Sequence, residues 1–215
     1  MLCAIMLSTL HTGPTYDWVP VPLITAEQRT RGVIGGEGAQ WPRALAIDKT
    51  GDNLLAGIDV GGIFRSKDGG RTWEPANVGF WPRGAAAVAF DPHHPGRCLA
   101  VGTNSAPGKH HGIYLSTDGA SSWKQVLPIE QCANQDVGRP QIVFDPVGSS
   151  VYWSRLSVDP NTWGIKPDPA IYKSDDSGST WRRLPGSEFL GGTILAHHPT
   201  RSGVFYAGGT LGVWK

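Results

Sequence analysis

A short pattern that occurs three times constrains the fold of this chain more than any other feature. Its form is S-x-D-x-G-x-T-W, relaxed to Ala and Ser at the fifth and seventh positions of the second copy. A motif that recurs along a chain is the signature of a repeat architecture, so several copies of one structural unit are expected. We call each copy a box, and the residues predicted to be structural in the three boxes are Ser66, Asp68, Gly70 and Trp73, Ser116, Asp118 and Trp123, and Ser174, Asp176, Gly178 and Trp181.

Each box has the composition of a tight hairpin turn. Ser and Asp side chains bond to backbone groups two residues further on, and Gly adopts a positive φ at little steric cost. Thr and Trp then begin the returning strand, with Trp covering the gap between neighbouring sheets. Because turn bonding already explains Asp at this position, the three box aspartates are predicted to be structural rather than acid catalysts.

The repeat extends well beyond the box. Three short apolar segments precede each box, and a fourth begins at the box Trp; in the first unit the three are 44–48, 53–57 and 62–65. Four short strands joined by turns make one blade of a β-propeller. The sequence therefore predicts an all-β fold, a β-propeller of four-stranded antiparallel blades.

Blade limits follow from the spacing of the boxes. Residues 1–40 are predicted to be an N-terminal segment, and the blades are predicted at about 41–80, 81–130, 138–187 and 192–215. The last blade stops before its box, so we expect an incomplete propeller of about three and a half blades, whose C-terminal blades are missing partners within the same protein. Asp17–Val21 resembles the strand after a box; it is either a closing strand for the last blade or an ordinary edge strand.

Composition narrows the function classes. The formal net charge of +1 gives no electrostatic case for nucleic acid or an anionic membrane as a partner. No apolar stretch is long enough for a transmembrane helix, and residues 1–10 make an unconvincing signal peptide. Cys3, Cys98 and Cys132 lack both metal spacing and a disulfide framework, and Cys98 is predicted to be a small core residue.

Ligands of propellers are expected on the rim opposite the box turns, where loops join strands two and three and where blades connect. Function concentrates on loops held by a rigid scaffold. The candidate substrate-binding residues on these loops are Trp41, Arg43, Trp81, Arg83, His110, His111, Arg139 and Trp163. Exposed Trp beside polar groups suits sugars; the alternative is that Trp and Pro pack blade edges and that Arg is solvated.

Two internal similarities refine this interpretation. A Trp-Pro-Arg triplet occurs at 41–43 and at 81–83, and is interpreted as the same repeat position, so that Arg43, Arg83 and Arg139 converge near the channel mouth. The pairs His93-His94 and His197-His198 are interpreted as residues of one repeated turn. Adjacent side chains on an extended backbone point apart, so no metal site is predicted there, and no cofactor is expected.

The boxes resemble the Asp-box of sialidases, sortilins and xyloglucanases. The segment Ala56–Arg65 is also similar to a first-blade motif of xyloglucanases of glycoside hydrolase family 74, with Ile58, Ile63 and Phe64 departing from the family pattern. The resemblance implies that Asp59 is one catalytic carboxylate, the base of an inverting hydrolysis of β-glucosidic bonds; the alternative is a turn carboxylate before Gly61-Gly62.

That resemblance implies further properties of the protein. The substrate would be a polysaccharide or oligosaccharide, and the location extracellular or periplasmic. The acid would lie in a second propeller, outside this sequence, so the chain alone is expected to be inactive. Two alternatives stay open: a non-catalytic propeller that binds protein or glycan, and a sialidase-like exo-glycosidase that clamps a carboxylate with Arg43, Arg83 and Arg139.

Overall fold

The regular secondary structure of the described part of the chain is almost entirely β-strand. The computed structural model describes residues 26–32, 42–103, 110–129, 141–155, 170–188, 194–209 and 212–215. Within these ranges the only helix is α1 (Ala26–Thr30), which is five residues long. An all-β fold is therefore confirmed.

The strands form four consecutive antiparallel sets, which we call modules one to four. Module one contains β1 (Pro42–Ile47), β2 (Leu54–Ile58), β3 (Gly62–Ser66) and β4 (Glu74–Pro75). Module two contains β5 (Gly84–Phe90), β6 (Cys98–Thr103), β7 (Gly112–Ser116) and β8 (Lys124–Pro128). Module three contains β9 (Ile142–Phe144), β10 (Val151–Arg155), β11 (Ala170–Ser174) and β12 (Arg182–Arg183). Module four contains β13 (Ile194–His197), β14 (Phe205–Gly209) and β15 (Gly212–Trp214).

The first strands of successive modules lie side by side. β1 lies against β5, β5 against β9, and β9 against β13. A single parallel bridge between Gly62 and Gly84 also joins module one to module two. Neighbouring first strands around a common centre are the arrangement of a propeller, so the predicted propeller architecture is confirmed.

Apolar cores fill the gaps between modules. The core between modules one and two contains Leu55 and Ile63 of one sheet and Val88, Cys98 and Tyr114 of the next. A second core joins modules two and three, and a third joins modules three and four. Modules two and three thus bury both of their faces by packing between neighbours, and Cys98 is a fully buried core residue, as predicted.

The box Trp residues occupy corresponding places in these gaps. Trp123 packs in the core that faces module one, and Trp181 packs against the core that faces module two. Trp73 lies in a separate cluster on the outer face of module one. The indole nitrogens of Trp73 and Trp181 donate to a carbonyl of their own turn, whereas that of Trp123 donates to the carbonyl of Ala76 in the preceding connection.

The box Ser organises the start of each turn. The hydroxyl of Ser66 donates to the Asp68 carboxylate (2.8 Å) and accepts from the amide of Gly70 (2.9 Å). The same two bonds recur from Ser116 and from Ser174. A buried hydroxyl therefore satisfies two groups that the tight turn would otherwise leave unpaired.

The box Asp closes the other end of the turn. Both oxygens of Asp68 accept bonds from Thr72, one from its amide (2.8 Å) and one from its hydroxyl (2.6 Å). Asp118 accepts the equivalent bonds from Ser122, and Asp176 accepts them from Thr180. Ser can replace Thr in the second box because the hydroxyl is the group that is used.

Two consecutive residues of each turn have a positive φ. They are Gly69 and Gly70 in the first box, Gly119 and Ala120 in the second, and Ser177 and Gly178 in the third. Only Gly adopts this conformation without strain, so Ala120 and Ser177 are strained positions in an otherwise glycine-rich pattern.

The two histidine pairs lie in corresponding turns after the first strand, as predicted, but at different positions within those turns. The amide of His198 bonds to the carbonyl of Val204, the bond that Asp91 makes to Arg97 in module two, and His197 is the last residue of β13. His93 and His94 instead follow Asp91 and cap its carboxylate. His198 therefore corresponds to Asp91, and His93 and His94 lie two and three residues further along the turn. The identical His-His-Pro sequences do not align in the structure.

Two glycine substitutions are predicted to separate backbone strain from crowding. At Gly70 a Cβ atom would meet nothing closer than 3.7 Å, so Gly70→Ala should cost only the strain of the positive φ, about 1–2 kcal/mol. At Gly178 a Cβ would lie 2.7 Å from the methyl groups of the buried Leu99, so Gly178→Ala should cost clearly more. Urea unfolding of both variants measures this, and equal losses would contradict the packing of module three on module two.

A second prediction concerns the buried carboxylate that joins modules three and four. One oxygen of Asp145 accepts from the amides of Val147 and Gly148, and the other accepts from the hydroxyl of Ser202 (2.7 Å) and the amide of Gly203 (2.9 Å). Burial would raise the pKa of Asp145, but these hydrogen bonds outweigh it and lower the pKa to about 2.

Because the folded pKa is below the unfolded one, Asp145 should contribute stability above pH 4 that is lost as the pH falls towards 2, on the order of 2 kcal/mol. Asp145→Asn should therefore reduce the free energy of unfolding at pH 6, and by much less at pH 2. A difference between the two proteins that stays constant across this range would count against the account.

Candidate functional site

The candidate catalytic residue, Asp59, lies in the connection between β2 and β3. This connection is at the opposite ends of the strands from the β3–β4 box turn, as the fold requires. Asp59 is only 8% exposed. Asp side chains are rarely buried unless they are paired. The burial of Asp59, on the rim expected to bind ligands, therefore calls for an explanation.

Arg43 is the cationic side chain nearest to this carboxylate among the described ion pairs. Its guanidinium lies 4.0 Å from the Asp59 carboxylate, and both side chains are mostly buried. Arg43 stands where β1 has a bulge, since Pro42 pairs with Ile58 and Ala44 already pairs with Gly57. Bulges re-aim a side chain, and here the bulge residue is the one beside the carboxylate.

Asn77 holds the turn that carries Asp59. Its side-chain oxygen accepts from the amide of Ile63 (2.8 Å), and its side-chain nitrogen donates to the carbonyl of Gly61 (3.3 Å). Gly62 has φ +71°, and a Cβ atom there would lie 2.4 Å from the Asn77 oxygen. The Gly is therefore needed both for its conformation and for the close approach of Asn77.

Sequence reasoning missed Asn77, and the repeat gives only a faint signal for it. In module three the amide of Ile171, which corresponds to Ile63, donates to the hydroxyl of Ser187. A polar side chain from the segment after the fourth strand thus serves the same purpose twice. Asn and Ser at different distances from the box Trp do not align as sequences, so only the structure reveals the correspondence.

Trp81 and His110 form an aromatic surface on the same rim. The Trp81 side chain is 72% exposed, and its ring centroid lies 6.3 Å from that of His110. The carbonyl of Arg83 accepts from the amide of Gly62 (2.8 Å), so the segment that carries Trp81 runs along the Asp59 turn. Asp59 and Trp81 therefore belong to one region of the rim.

His111 does not share this exposure. It is buried, and its carbonyl accepts hydrogen bonds from the side chain of Gln125 and the amide of Ile129. Its neighbour His110 is half-buried, and the carbonyl of His110 accepts from the hydroxyl of Tyr114. Of the two histidines, His110 is the one whose ring meets Trp81.

The predicted equivalence of the two Trp-Pro-Arg triplets is wrong. Register pairs show that the bulge residue Arg43 corresponds to Ala86, the bulge residue of β5. Arg83 instead precedes β5 in the connection between modules. Identical triplets therefore fall at different structural positions. Trp41, Arg139 and Trp163 lie outside the described residues.

Comparison between modules distinguishes residues that recur in each module from residues that occur in one module only. The box Asp is present in modules one to three, and hydrogen bonds from Thr72 and Ser66 lower the pKa of Asp68 to about 2. A carboxyl that is ionised down to such a low pH cannot act as a general acid near neutrality. Asp59, by contrast, corresponds to Thr103 in module two, so its carboxylate is not part of the repeated scaffold.

The described residues contain neither a cluster of metal-ligating side chains nor a membrane-spanning helix. No group of three or more His, Cys, Asp or Glu side chains in those residues is arranged to hold a metal ion. Within the same ranges no helix has the length and apolar character needed to cross a membrane.

The role of Asn77 can be tested by substitution. Asn77→Ala removes both bonds to the Asp59 turn and leaves the amide of Ile63 unpaired, so we expect a loss of about 1–3 kcal/mol in the free energy of unfolding. Val78→Ala, which truncates an exposed neighbouring side chain, should change stability little. Equal effects of the two variants, measured by urea unfolding, would show that Asn77 does not hold the turn.

The chain is similar in sequence to known xyloglucanases. No family model matches the chain. A xyloglucanase from Paenibacillus sp is 31% identical over 166 residues, which are 71% of this chain and 15% of that protein. Xyloglucanase Xgh74A of Acetivibrio thermocellus is 28% identical over 166 residues, again 71% of this chain, and 18% of that protein. The chain thus spans less than a fifth of the length of these relatives.

Solved structures show a similar fold. The GH74 enzyme of Niastella koreensis superposes with a TM-score of 0.57 at 20% identity, over 77% of this chain and 24% of that one. An ancestral GH74 enzyme gives 0.57 at 20% identity, over 80% and 22%. YCF48 bound to D1 peptide gives 0.51 at 21% identity, over 82% and 51%. The chain is a xyloglucanase-like β-propeller.

Proposed function

We propose that this chain is part of a glycoside hydrolase of the xyloglucanase type, which cleaves β-glucosidic bonds with inversion. The observation that carries the proposal is the position of Asp59. It is a nearly buried carboxylate on the ligand rim of module one, and it interrupts a repeat that has Thr103 at the same place. The similarity to xyloglucanases supports the same assignment.

Asp59 is proposed to be the general base. In an inverting glycosidase one carboxylate removes a proton from water while that water attacks the anomeric carbon, and a second carboxylic acid protonates the leaving oxygen. The guanidinium of Arg43 lies 4.0 Å from the Asp59 carboxylate and would help to hold the orientation of that side chain. The turn bonds of Asn77 would fix the direction from which the base meets the water.

Trp81 is proposed to bind the sugar. Aromatic faces stack on the C–H surfaces of pyranose rings, and Trp81 offers the large exposed ring beside the Asp59 turn. His110 and Arg83 are proposed to bind hydroxyl groups at the edge of this surface. Trp41, His111, Arg139 and Trp163 remain proposed binding residues that no contact yet supports. An extracellular polysaccharide would require an extracellular or periplasmic location.

A second function is supported by a different observation. YCF48 bound to D1 peptide has a similar fold at a TM-score of 0.51, so a propeller of this kind can serve as a peptide-binding scaffold without catalysis. In that case Trp81 would be an anchor for an apolar side chain. Binding assays with β-glucan oligosaccharides and with peptides distinguish the two functions.

The catalytic proposal is tested by Asp59→Asn in the complete gene product. The amide keeps the shape of the carboxylate but cannot accept the proton, so kcat on xyloglucan should fall about 10²–10⁴-fold. Oligosaccharide binding, measured by calorimetry, should stay within a few-fold of wild type. Asp52→Asn makes the same chemical change on an exposed turn at the other rim and should leave both quantities unchanged.

Two results would overturn the assignment. Full activity of Asp59→Asn would show that Asp59 is a turn residue only. Proton NMR of the first product would separately test the stereochemistry, because inversion of a β-glucosidic bond releases the α-anomer. Initial release of the β-anomer would exclude an inverting mechanism.

A further inference from the structure

One buried tyrosine contacts both of the segments that carry the exposed rings of Trp81 and His110. Phe80, which precedes Trp81 in the sequence, is 4% exposed, and its ring meets that of Tyr114 edge to face with centroids 4.8 Å apart. Tyr114 is fully buried, and its hydroxyl donates to the carbonyl of His110 (2.9 Å). The two segments of the aromatic surface are therefore joined through the core.

Pro82 fixes the other side of Trp81. Its side chain is buried, and a Cβ atom at Gly102 would overlap it and lie 3.0 Å from the ring of Tyr114. Gly102 therefore leaves the room in which Pro82 packs near Tyr114. Trp81 is exposed, but both of its neighbours in the sequence are packed in the core, so its backbone cannot move without disturbing them.

The repeat shows that a module folds without a hydroxyl at this place. Tyr114 stands two residues before the box Ser, and the residue at the same position of module one is Phe64. Phe64 is 1% exposed, so a ring fills this position in both modules and the hydroxyl is an addition to it. The bond from Tyr114 to His110 thus calls for an explanation beyond the scaffold.

The Tyr114 hydroxyl is a constant hydrogen-bond donor. Burial raises the pKa of Tyr114 to about 12, so the hydroxyl keeps its proton at neutral pH. Removing the hydroxyl would leave the carbonyl of His110 without this donor, and the backbone there would lose a restraint. The ring that would change its place is the one that meets Trp81.

We propose that Tyr114 is a positioning residue, which holds Trp81 and His110 in the relative arrangement that a sugar chain binds. This inference rests on the proposed role of Trp81 in sugar binding. Tyr114 is fully buried and acts only through the two exposed rings. A surface that is already ordered binds more tightly than one that must be ordered on binding, so the hydroxyl contributes to affinity and not to the chemical step.

Tyr114→Phe in the complete gene product tests the proposal, because it keeps the ring against Phe80 and removes only the hydroxyl. The Kd of a xyloglucan oligosaccharide, measured by calorimetry, should rise about three- to tenfold. KM on xyloglucan should rise by a similar factor, and kcat should stay unchanged.

Tyr172→Phe is the matched control. It makes the same chemical change at the same position of module three, in the core between modules two and three, and should leave Kd and KM unchanged. Circular dichroism verifies that each variant is folded. An equal loss of affinity in both variants would show a general effect on the scaffold and would overturn the proposal.

A double-mutant cycle shows whether Tyr114 acts through the exposed rings. Trp81→Ala alone should weaken binding at least about tenfold, and Tyr114→Phe should then add little. An undiminished further loss in the Trp81→Ala protein, or unchanged affinity of Tyr114→Phe alone, would overturn the positioning role and leave the sugar-binding role of Trp81 intact. Unchanged binding by Trp81→Ala itself would instead overturn that proposed role, and the positioning role with it.

Discussion

The fold depends on the box Asp, whose carboxylate oxygens accept hydrogen bonds from residues of the same turn. In each box, both oxygens of the Asp accept from the Ser or Thr four residues on, and the box Ser bridges the Asp to a backbone amide. These bonds close the hairpin between the third and fourth strands in the same way each time. Because the box Trp follows directly after these residues, the same bonds also place the indoles of Trp123 and Trp181 against the cores between modules.

Contacts between modules are built on these turns as well. The guanidinium of Arg65 donates to the carbonyl of Gly119 and to the hydroxyl of Ser121 in the next box, and Arg97 donates to the carbonyl of Ser177 (2.7 Å) in the one after. The carbonyls of one box turn therefore accept hydrogen bonds from an arginine of the preceding module. These contacts help to hold the modules side by side although their strands are only two to seven residues long.

Much of this could be predicted from the sequence, and the reasons for success and failure are specific. The boxes were readable because their chemistry is local: every bond of the turn joins residues at most four apart. The Trp-Pro-Arg triplets were misaligned because identical residues do not fix strand register: Arg43 is a bulge residue of β1, whereas Arg83 precedes β5. The signal for Asn77 was faint, because its contact with Ile63 spans fourteen residues and depends on how the chain returns to the rim.

Function is assigned where the repeat is broken. Asp59 and the bulge residue Arg43 are not required by the module pattern, whereas Asp68, Asp118 and Asp176 are. Residues that the scaffold needs should cost stability when removed, and residues kept for chemistry should not.

Thermal unfolding of four Asp→Ala variants in parallel tests this division most directly. The account predicts a clear decrease of Tm for Asp68→Ala, Asp118→Ala and Asp176→Ala, and a smaller change for Asp59→Ala than for any of the three. A protein that tolerates loss of the box carboxylates but unfolds without Asp59 would contradict it.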